Sequence, residues 1–339
     1  MTRSDDFGLD RRRLLQGAGL ALGAAALGSG RILAQEARAQ GAGTRNTDTV
    51  RLGWGRGGLP LIARERGEFE KSLAAQDITV KWVGPFPNHA PSLQAVVGGS
   101  ADFGFWGSTT PALAAILAGS PLVFTNYNVY SPRSTAIIVK KNSGIDSVKD
   151  LAGKKVAVNR SGLGEFLLVA ALEKHGVDRR SVEFVYLNPP DASPAFGQGR
   201  VDAWSMWTPA VDIARDQYGA KDIFFEGRDL DFLIDYSSLV SLRDFTTRNS
   251  ALVRAVIDAY AREGRWISDN PVEAETIAQR EGKYGDAVRD HLAGYKRQNR
   301  FYEADDAAFL ADFQKAADWL ADRAILPKRV NVADHSVRV

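Results

Sequence analysis

Cysteine is absent from the chain of 339 residues. The protein therefore cannot form a disulfide, a thiolate metal site, a cysteine nucleophile or a lipid anchor on cysteine. Histidine is scarce, with four residues, and the sequence contains no H-E-x-x-H zinc motif. It also shows no Ser/His/Asp arrangement of the hydrolase type. We expect no catalytic residue, no metal and no cofactor.

A strong charge of either sign is also lacking, since 43 basic residues face 41 acidic ones. A nucleic-acid-binding protein would be expected to carry a basic field, so we expect no nucleic-acid partner. The fractions of hydrophobic residues, 45%, and charged residues, 25%, are those of an ordinary globular protein. The length allows two domains, and we expect a monomer.

The first forty residues differ from the rest of the chain. A basic start, DRRRLLQ, precedes a Gly- and Ala-rich apolar stretch and the small-residue sequence ARAQ, which is typical of an export signal. Arg11 and Arg12 resemble the paired arginines of twin-arginine signals. The apolar run is short and weakly hydrophobic for a membrane span. We expect residues 1–39 to be a twin-arginine-type signal peptide, cleaved after Ala39, and the protein to be periplasmic.

Strand and helix patterns alternate along the remaining chain and predict an α/β protein with mostly parallel sheets. From Asn249 onward the pattern is helical. Two extended runs, TAIIVKK and SSLVSLR, are candidate crossings between two lobes that rotate about a hinge. The predicted lobe I comprises residues 48–132 and 239–339, and lobe II comprises residues 133–238.

The same local pattern occurs twice, about a hundred residues apart, in GGSADFGFWGSTTPA and GRVDAWSMWTPAV. In each copy a strand leads through a tryptophan, Trp106 or Trp207, to a Thr-Pro helix start. Helix starts at the carboxyl ends of strands present free N–H groups to anions. The alternative is that Thr and Pro only begin the helices and that the tryptophans belong to the core.

Two glycine-rich turns, GWGRGGLP and RSGLGEF, also follow strands, and their backbone could approach a ligand closely. Neither is a P-loop, because no G-K-[ST] follows. His89 lies near the predicted mouth of the cleft, and the other three histidines are expected at the surface. The candidate ligand-binding residues are Trp54, Arg56, Gly57, His89, Trp106, Ser108, Thr109, Thr110, Arg133, Arg160, Ser161, Gly162, Trp207 and Thr208.

With these residues in view, the chain resembles the substrate-binding proteins of the nitrate/sulfonate/taurine class of ABC importers, most closely those for aliphatic sulfonates. The matching segments are RLGWGRGG, VVGGSADFGFWGST with TPA, GIDSVKDLAGKKVAV, YLNPPDASPAFGQGRVDAWSMWTP and AILPKRVNV. The resemblance implies a two-lobed periplasmic binding protein of type II, the Venus-flytrap fold, with two crossover segments and a C-terminal helical region. It also implies an oxyanion in the cleft and, as partners, a permease and its cytoplasmic ATPase.

Two positions depart from the family pattern. Thr208 stands where relatives often carry an acidic residue, which puts recognition of a ligand ammonium group in doubt. The serine-rich turn of sulfonate-binding relatives is SGLGEF here. Nitrate, a pyrimidine and an aromatic acid are the alternative ligands. The tryptophans favour a ligand with an organic tail over nitrate. The enzyme alternative within this fold is a thiamin-pyrimidine synthase that consumes a histidine, for which His89 is the candidate.

Overall fold

A computed structural model of the chain describes residues 44–233 and 235–339. The predicted signal peptide lies outside these residues. Within them, no helix combines the length and the apolar character that crossing a membrane requires. The strands are β1 (Thr49–Gly55), β2 (Thr79–Phe86), β3 (Gly107–Ser108), β4 (Leu122–Ser131), β5 (Ala136–Lys140), β6 (Lys155–Val158), β7 (Glu183–Tyr186), β8 (Ala203–Met206), β9 (Ala220–Phe225), β10 (Ser237–Leu242) and β11 (Gln298–Glu303).

The helices follow the strands closely, as the alternating pattern predicts. They are α1 (Gly58–Arg66), α2 (Glu68–Ala74), α3 (His89–Val97), α4 (Thr109–Leu117), α5 (Leu163–Lys174), α6 (Pro189–Gly197), α7 (Ala210–Tyr218), α8 (Glu226–Asp229), α9 (Arg243–Arg248), α10 (Ser250–Asp269), α11 (Pro271–Gly282), α12 (Asp286–Gly294) and α13 (Ala307–Asp322).

The strands form two sheets. Sheet I contains the parallel pair β1-β2 and the antiparallel set β11-β4-β10-β3, which Phe103 joins through bridges to Leu52 and Ser241. Sheet II has the order β7-β6-β8-β5-β9. The prediction of mostly parallel sheets is wrong, because β5 and β10 run antiparallel to their neighbours. These two strands begin where the chain has just changed sheets, so they are not joined by the helix crossover that makes strands parallel.

The two candidate crossings lie inside the sheets. TAIIVKK contains β5, which pairs with β8 and β9, and SSLVSLR contains β10, which pairs with β3 and β4. Strands β5 and β10 are buried along most of their length, as expected for strands with neighbours on both sides. The chain therefore passes between the sheets just before each run. The lobe boundaries derived from the sequence stay a prediction.

The C-terminal region is not entirely helical. Helix α12 ends at Gly294, and β11 follows and pairs with β4. Its sequence, QNRFYE, has no regular alternation of apolar and polar residues, so its strand conformation comes from pairing with β4 and not from its own pattern.

Helix α5 lies between the apolar clusters of the two sheets. Leu163, Phe166 and Ala170 belong to a cluster with residues of α3, α4 and α13. Leu167 and Leu172 belong to a cluster of sheet II. A helix that is apolar on all faces is a buried helix, and α5 is buried from Leu163 through Leu172. This helix therefore brings the second glycine-rich turn, which precedes it, against sheet I.

Candidate functional site

The start of α4 is tied to the return segment that precedes β10. The hydroxyl groups of Thr109 and Thr110 donate to Oδ1 of Asp235 at 2.8 and 3.4 Å. The amide of Thr109 donates to the carbonyl of Tyr236 at 2.9 Å. Asp235 is only 2% exposed, and burial raises the pKa of its carboxyl, against the opposing charge of Arg133. Both threonine hydroxyl groups thus already have an acceptor within the protein.

Ser108 leaves its hydroxyl without such a partner. Its Oγ is buried and makes no hydrogen bond of normal length and angle with the described residues, although it lies close enough to the Asp235 carboxylate to help hold the pKa of that group down. Its carbonyl accepts a hydrogen bond from Nδ1 of His89 at 2.7 Å. His89 is buried, and burial lowers the pKa of its ring to about 4. Because a carbonyl can only accept, Nδ1 carries the proton, and the neutral ring fixes the Ser108 backbone from within.

Arg133 lies on the first connection between the sheets. It is 7% exposed, its Nε donates to Glu226 at 3.0 Å, and its guanidinium lies 4.6 Å from the Tyr130 ring centroid. In residues 44–233 and 235–339, no hydrogen bond uses its Nη atoms. Thr135, two residues on, has a buried hydroxyl that is equally unpartnered there. This segment therefore keeps donors available.

The first glycine-rich turn approaches the second Thr-Pro step. A Cβ on Gly57 would lie 4.0 Å from Cδ of Pro209. Arg56 points away from this approach: its side chain is 64% exposed and pairs with Glu281 on α11. Trp54 is buried, and the guanidinium of Arg64 covers its ring at 3.9 Å.

Thr208 takes part in a hydroxyl pair that the sequence did not suggest. Its Oγ1 lies 2.6 Å from Oγ of Ser134, and Nη2 of Arg297 donates to both oxygens, at 3.1 and 2.6 Å. The preceding Trp207 is half-buried and packs against apolar clusters of both sheets. Trp106 instead packs at the edges of Tyr260 and Phe301, with centroids 5.7 and 5.5 Å away.

Two amides of the second glycine-rich turn have acceptors close by in the sequence. The amide of Ser161 donates to Glu165 at 2.7 Å, and that of Gly164 donates to Oδ1 of Asn159 at 3.1 Å. Gly162 lies between them, with the Asn159 side chain where a Cβ would project. The guanidinium of Arg160 stacks on the Tyr186 ring at 3.7 Å. The residues of this turn form a cluster that is separate from the residues around Ser108.

Several contributing residues were missed from the sequence. Asp235, Glu226 and Arg297 are isolated charges in segments without a motif, and only their burial identifies them. Asn88 and Asn188 hydrogen-bond at 2.6 Å and join the loops before α3 and α6; their similar positions before helices were the available signal. Among the described residues, no group of three or more His, Asp or Glu side chains could hold a metal ion.

The chain is similar in sequence and in structure to proteins named as sulfonate-binding proteins. It is 28% identical to a protein of Escherichia coli (strain K12) provisionally named an aliphatic sulfonates-binding protein, over 84% of this chain and 87% of that one. A Bacillus subtilis (strain 168) protein of the same name is 34% identical over 64% of each chain. The solved alkanesulfonate-binding protein of Xanthomonas axonopodis pv. citri, bound to MOPS, has a TM-score of 0.79 at 24% identity, covering 86% of this chain and 99% of that one.

Two sheets joined by two connections, with Trp207 packed against apolar clusters of both, define a protein with the two-lobed periplasmic binding protein fold. Within that class the chain belongs to the NMT1/THI5-like family, whose sequence profile matches residues 61–274.

Proposed function

We propose that this protein is an extracytoplasmic solute-binding protein. It binds a sulfonate, aliphatic or aromatic, between two lobes and delivers it to an ABC importer made of a permease and a cytoplasmic ATPase. The similarity to two proteins named as aliphatic sulfonates-binding proteins, one over 84% of the chain, supports this class of ligand. The related binding protein with bound MOPS supports the same ligand class.

The observation that carries the proposal is a set of donors without a hydrogen-bond partner among the described residues: the buried hydroxyl groups of Ser108, at the end of β3, and Thr135, just before β5, with Arg133 on the connection between the sheets. A sulfonate stays ionised near neutral pH, so leaving water requires several N–H and O–H donors in exchange. The Ser108 hydroxyl, the Thr135 hydroxyl and the Nη atoms of Arg133 make no hydrogen bond with the described residues. We propose that they hold the sulfonate oxygens, and that Trp207 covers part of the apolar tail.

Thermal melting of the purified mature protein tests this proposal. Butane-1-sulfonate or benzenesulfonate at a hundredfold excess over Kd should stabilise the fold by about 2.7 kcal/mol. Ser108→Ala should shrink the shift, whereas Ser100→Ala, which changes an exposed serine, should not. Arg133→Lys should also shrink it, because an ammonium lacks the planar fork.

The same assay examines Arg56, which stays a candidate for the anion. Arg56→Ala is compared with Arg180→Ala, another exposed arginine paired with a carboxylate. A loss of the sulfonate shift in Arg56→Ala alone would place Arg56 at the ligand. A melting shift with nitrate or a pyrimidine, and none with either sulfonate, would contradict the sulfonate proposal and leave only the fold.

We propose that His89 supports the binding site from behind Ser108 and takes no part in catalysis. The enzyme alternative needs a histidine that can reach a substrate. His89 is 4% exposed and holds the Ser108 carbonyl, and its position favours a structural role. Incubation with a pyrimidine precursor should leave the mass of the intact protein unchanged; a mass change at His89 would support the enzyme instead.

We propose that the protein reaches the periplasm by the twin-arginine route. The motif DRRRLLQ supports it. Replacing Arg11 and Arg12 with lysine should retain the precursor in the cytoplasm, since that route depends on the arginine pair. The control replaces Arg3 and Arg13. An unchanged periplasmic yield of the Arg11/Arg12 variant would contradict this route without excluding the destination.

A further inference from the structure

The turn that leads into α5 offers donors that an anion could use, and an internal carboxylate engages them. Helix starts carry unpaired N–H groups and the positive end of the helix dipole. At α5, Oε2 of Glu165 accepts the Ser161 amide at 2.7 Å, and Asn159 accepts the Gly164 amide. Ser161 has a φ of +50°, a left-handed conformation in which its amide faces the Glu165 carboxylate.

The second oxygen of Glu165 is held as firmly as the first. Its Oε1 accepts from Nη2 of Arg179 at 3.1 Å and from the Tyr186 hydroxyl at 2.8 Å. The side chain of Glu165 is 6% exposed. Three donors from three different elements thus surround one buried carboxylate, an arrangement that satisfies a buried charge and leaves it little room to move.

The residue that α5 presents toward sheet I is apolar. Leu163 is the first residue of the helix, and it belongs with Phe166 to the cluster that contains Leu93 and Ala112 of sheet I helices. A leucine offers no hydrogen bond to an oxyanion. The start of α5 therefore turns apolar surface toward helices α3 and α4, while its carboxylate is held by Ser161, Arg179 and Tyr186.

We propose that Glu165 closes the start of α5 to external anions and thereby restricts the ligand to a single anionic group. The anion is bound near Ser108, and the part of the ligand that faces α5 is apolar. The statement about the ligand rests on the proposed sulfonate function; the closure by Glu165 does not, because it follows from the contacts of Glu165 alone.

Inorganic sulfate tests the closure without any organic ligand. Glu165→Ala removes the carboxylate and exposes the Ser161 amide and the Arg179 guanidinium to solvent anions. Sodium sulfate, compared with sodium chloride at equal ionic strength, should raise the melting temperature of Glu165→Ala more than that of the wild type. Glu173→Ala is the matched control, because Glu173 lies on the same helix and also pairs with an arginine, Arg323.

Equal sulfate effects on Glu165→Ala, Glu173→Ala and the wild type would overturn the closure. General salting-in or salting-out changes the melting temperatures of all three proteins alike. The closure is therefore tested only by the additional increase in melting temperature that sulfate gives to Glu165→Ala. If Glu165→Ala does not fold, Glu165→Gln replaces it: the amide still accepts from Ser161, and loss of the charge leaves Arg179 uncompensated.

Calorimetry with two ligands of equal length then tests the restriction to one anionic group. The wild type should bind butane-1-sulfonate at least tenfold more tightly than butane-1,4-disulfonate. Glu165→Gln should narrow that ratio at least threefold, whereas Glu303→Gln, which changes a carboxylate on β11 that pairs with Arg254, should leave it unchanged. A ratio that does not depend on Glu165 would overturn the restriction. If the wild type binds neither sulfonate, the proposed function fails, and the sulfate experiment still decides the closure.

Discussion

His89 shows how a buried polar side chain can serve a binding site without touching the ligand. Its ring donates to the carbonyl of Ser108, the residue whose hydroxyl we propose for the sulfonate. A Cβ on Gly107 would run into the ring, so the strand end and the imidazole are fitted to each other. The position of the Ser108 hydroxyl therefore depends on a neutral His89.

The neutral ring predicts a dependence of stability on pH. The pKa of His89 falls from 6.5 to about 4 on burial, so between these values the unfolded chain binds a proton that the folded chain does not. The contribution of the neutral His89 ring to the free energy of unfolding is fully present above pH 6.5. It falls by about 3 kcal/mol as the pH drops to 4. Urea unfolding at several pH values measures this loss.

His89→Asn should remove this contribution, because asparagine does not titrate and its amide can still donate to Ser108. His175→Asn is the control and should keep the wild-type slope between pH 4 and 6.5. An identical slope in the wild type and in His89→Asn would show that His89 titrates normally in the folded protein.

The turn between β6 and α5 depends on close packing against β8. The hydroxyl of Ser205 donates to the carbonyl of Gly164 at 2.7 Å. A Cβ on Gly164 would overlap the Ser205 carbonyl and approach Oδ1 of Asn159. Glycine is therefore required there by proximity between backbone segments, and the turn that holds Ser161 is set by this packing.

Gly164→Ala should lower the free energy of unfolding by about 1–3 kcal/mol, the usual cost of an inserted methyl group in a packed region. Gly294→Ala is the matched control, because nothing lies within 4 Å of the added Cβ at the end of α12. The control should lose no stability, since alanine favours helix. Equal chemical denaturation curves for both variants would contradict the close approach at Gly164.

Three polar contacts join elements of the two sheets across the chain. Asn88 bonds to Asn188, Arg323 on α13 forms a two-pronged pair with Glu173 on α5 at 2.6 Å, and Arg297 reaches Thr208. Together with Trp207, which packs against clusters of both sheets, they describe a conformation in which the two halves are in contact. We propose that this is the closed form and that ligand binding favours it.

Closure should be visible in solution. Saturating butane-1-sulfonate should lower the radius of gyration in X-ray scattering and change the tryptophan fluorescence. Trp207→Phe should reduce the fluorescence change but keep the decrease in the radius of gyration. A sulfonate that stabilises the protein against heat while leaving both observables unchanged would contradict a closing cleft.

The local pattern of the chain was sufficient for the fold class, because burial periodicity and helix-start residues act over a few positions. The α/β alternation, the helix start at the first Thr-Pro step and the family segments could be predicted in this way. Strand direction in the sheets and the edge strand β11 could not. Both depend on which distant strand lies alongside, and QNRFYE carries no pattern of its own.

The candidate residues around the site were found through their neighbours in sequence, but their hydrogen-bond partners come from distant segments. Nothing near Thr109 indicates that Asp235 takes its hydroxyl, and nothing near Ser161 indicates that Glu165 points back and takes its amide. Side-chain hydrogen bonds depend on distances between segments that only folding brings together. Residue types and helix starts are therefore determined by the sequence, whereas the choice between a donor that is occupied and one that is free is made by the tertiary structure.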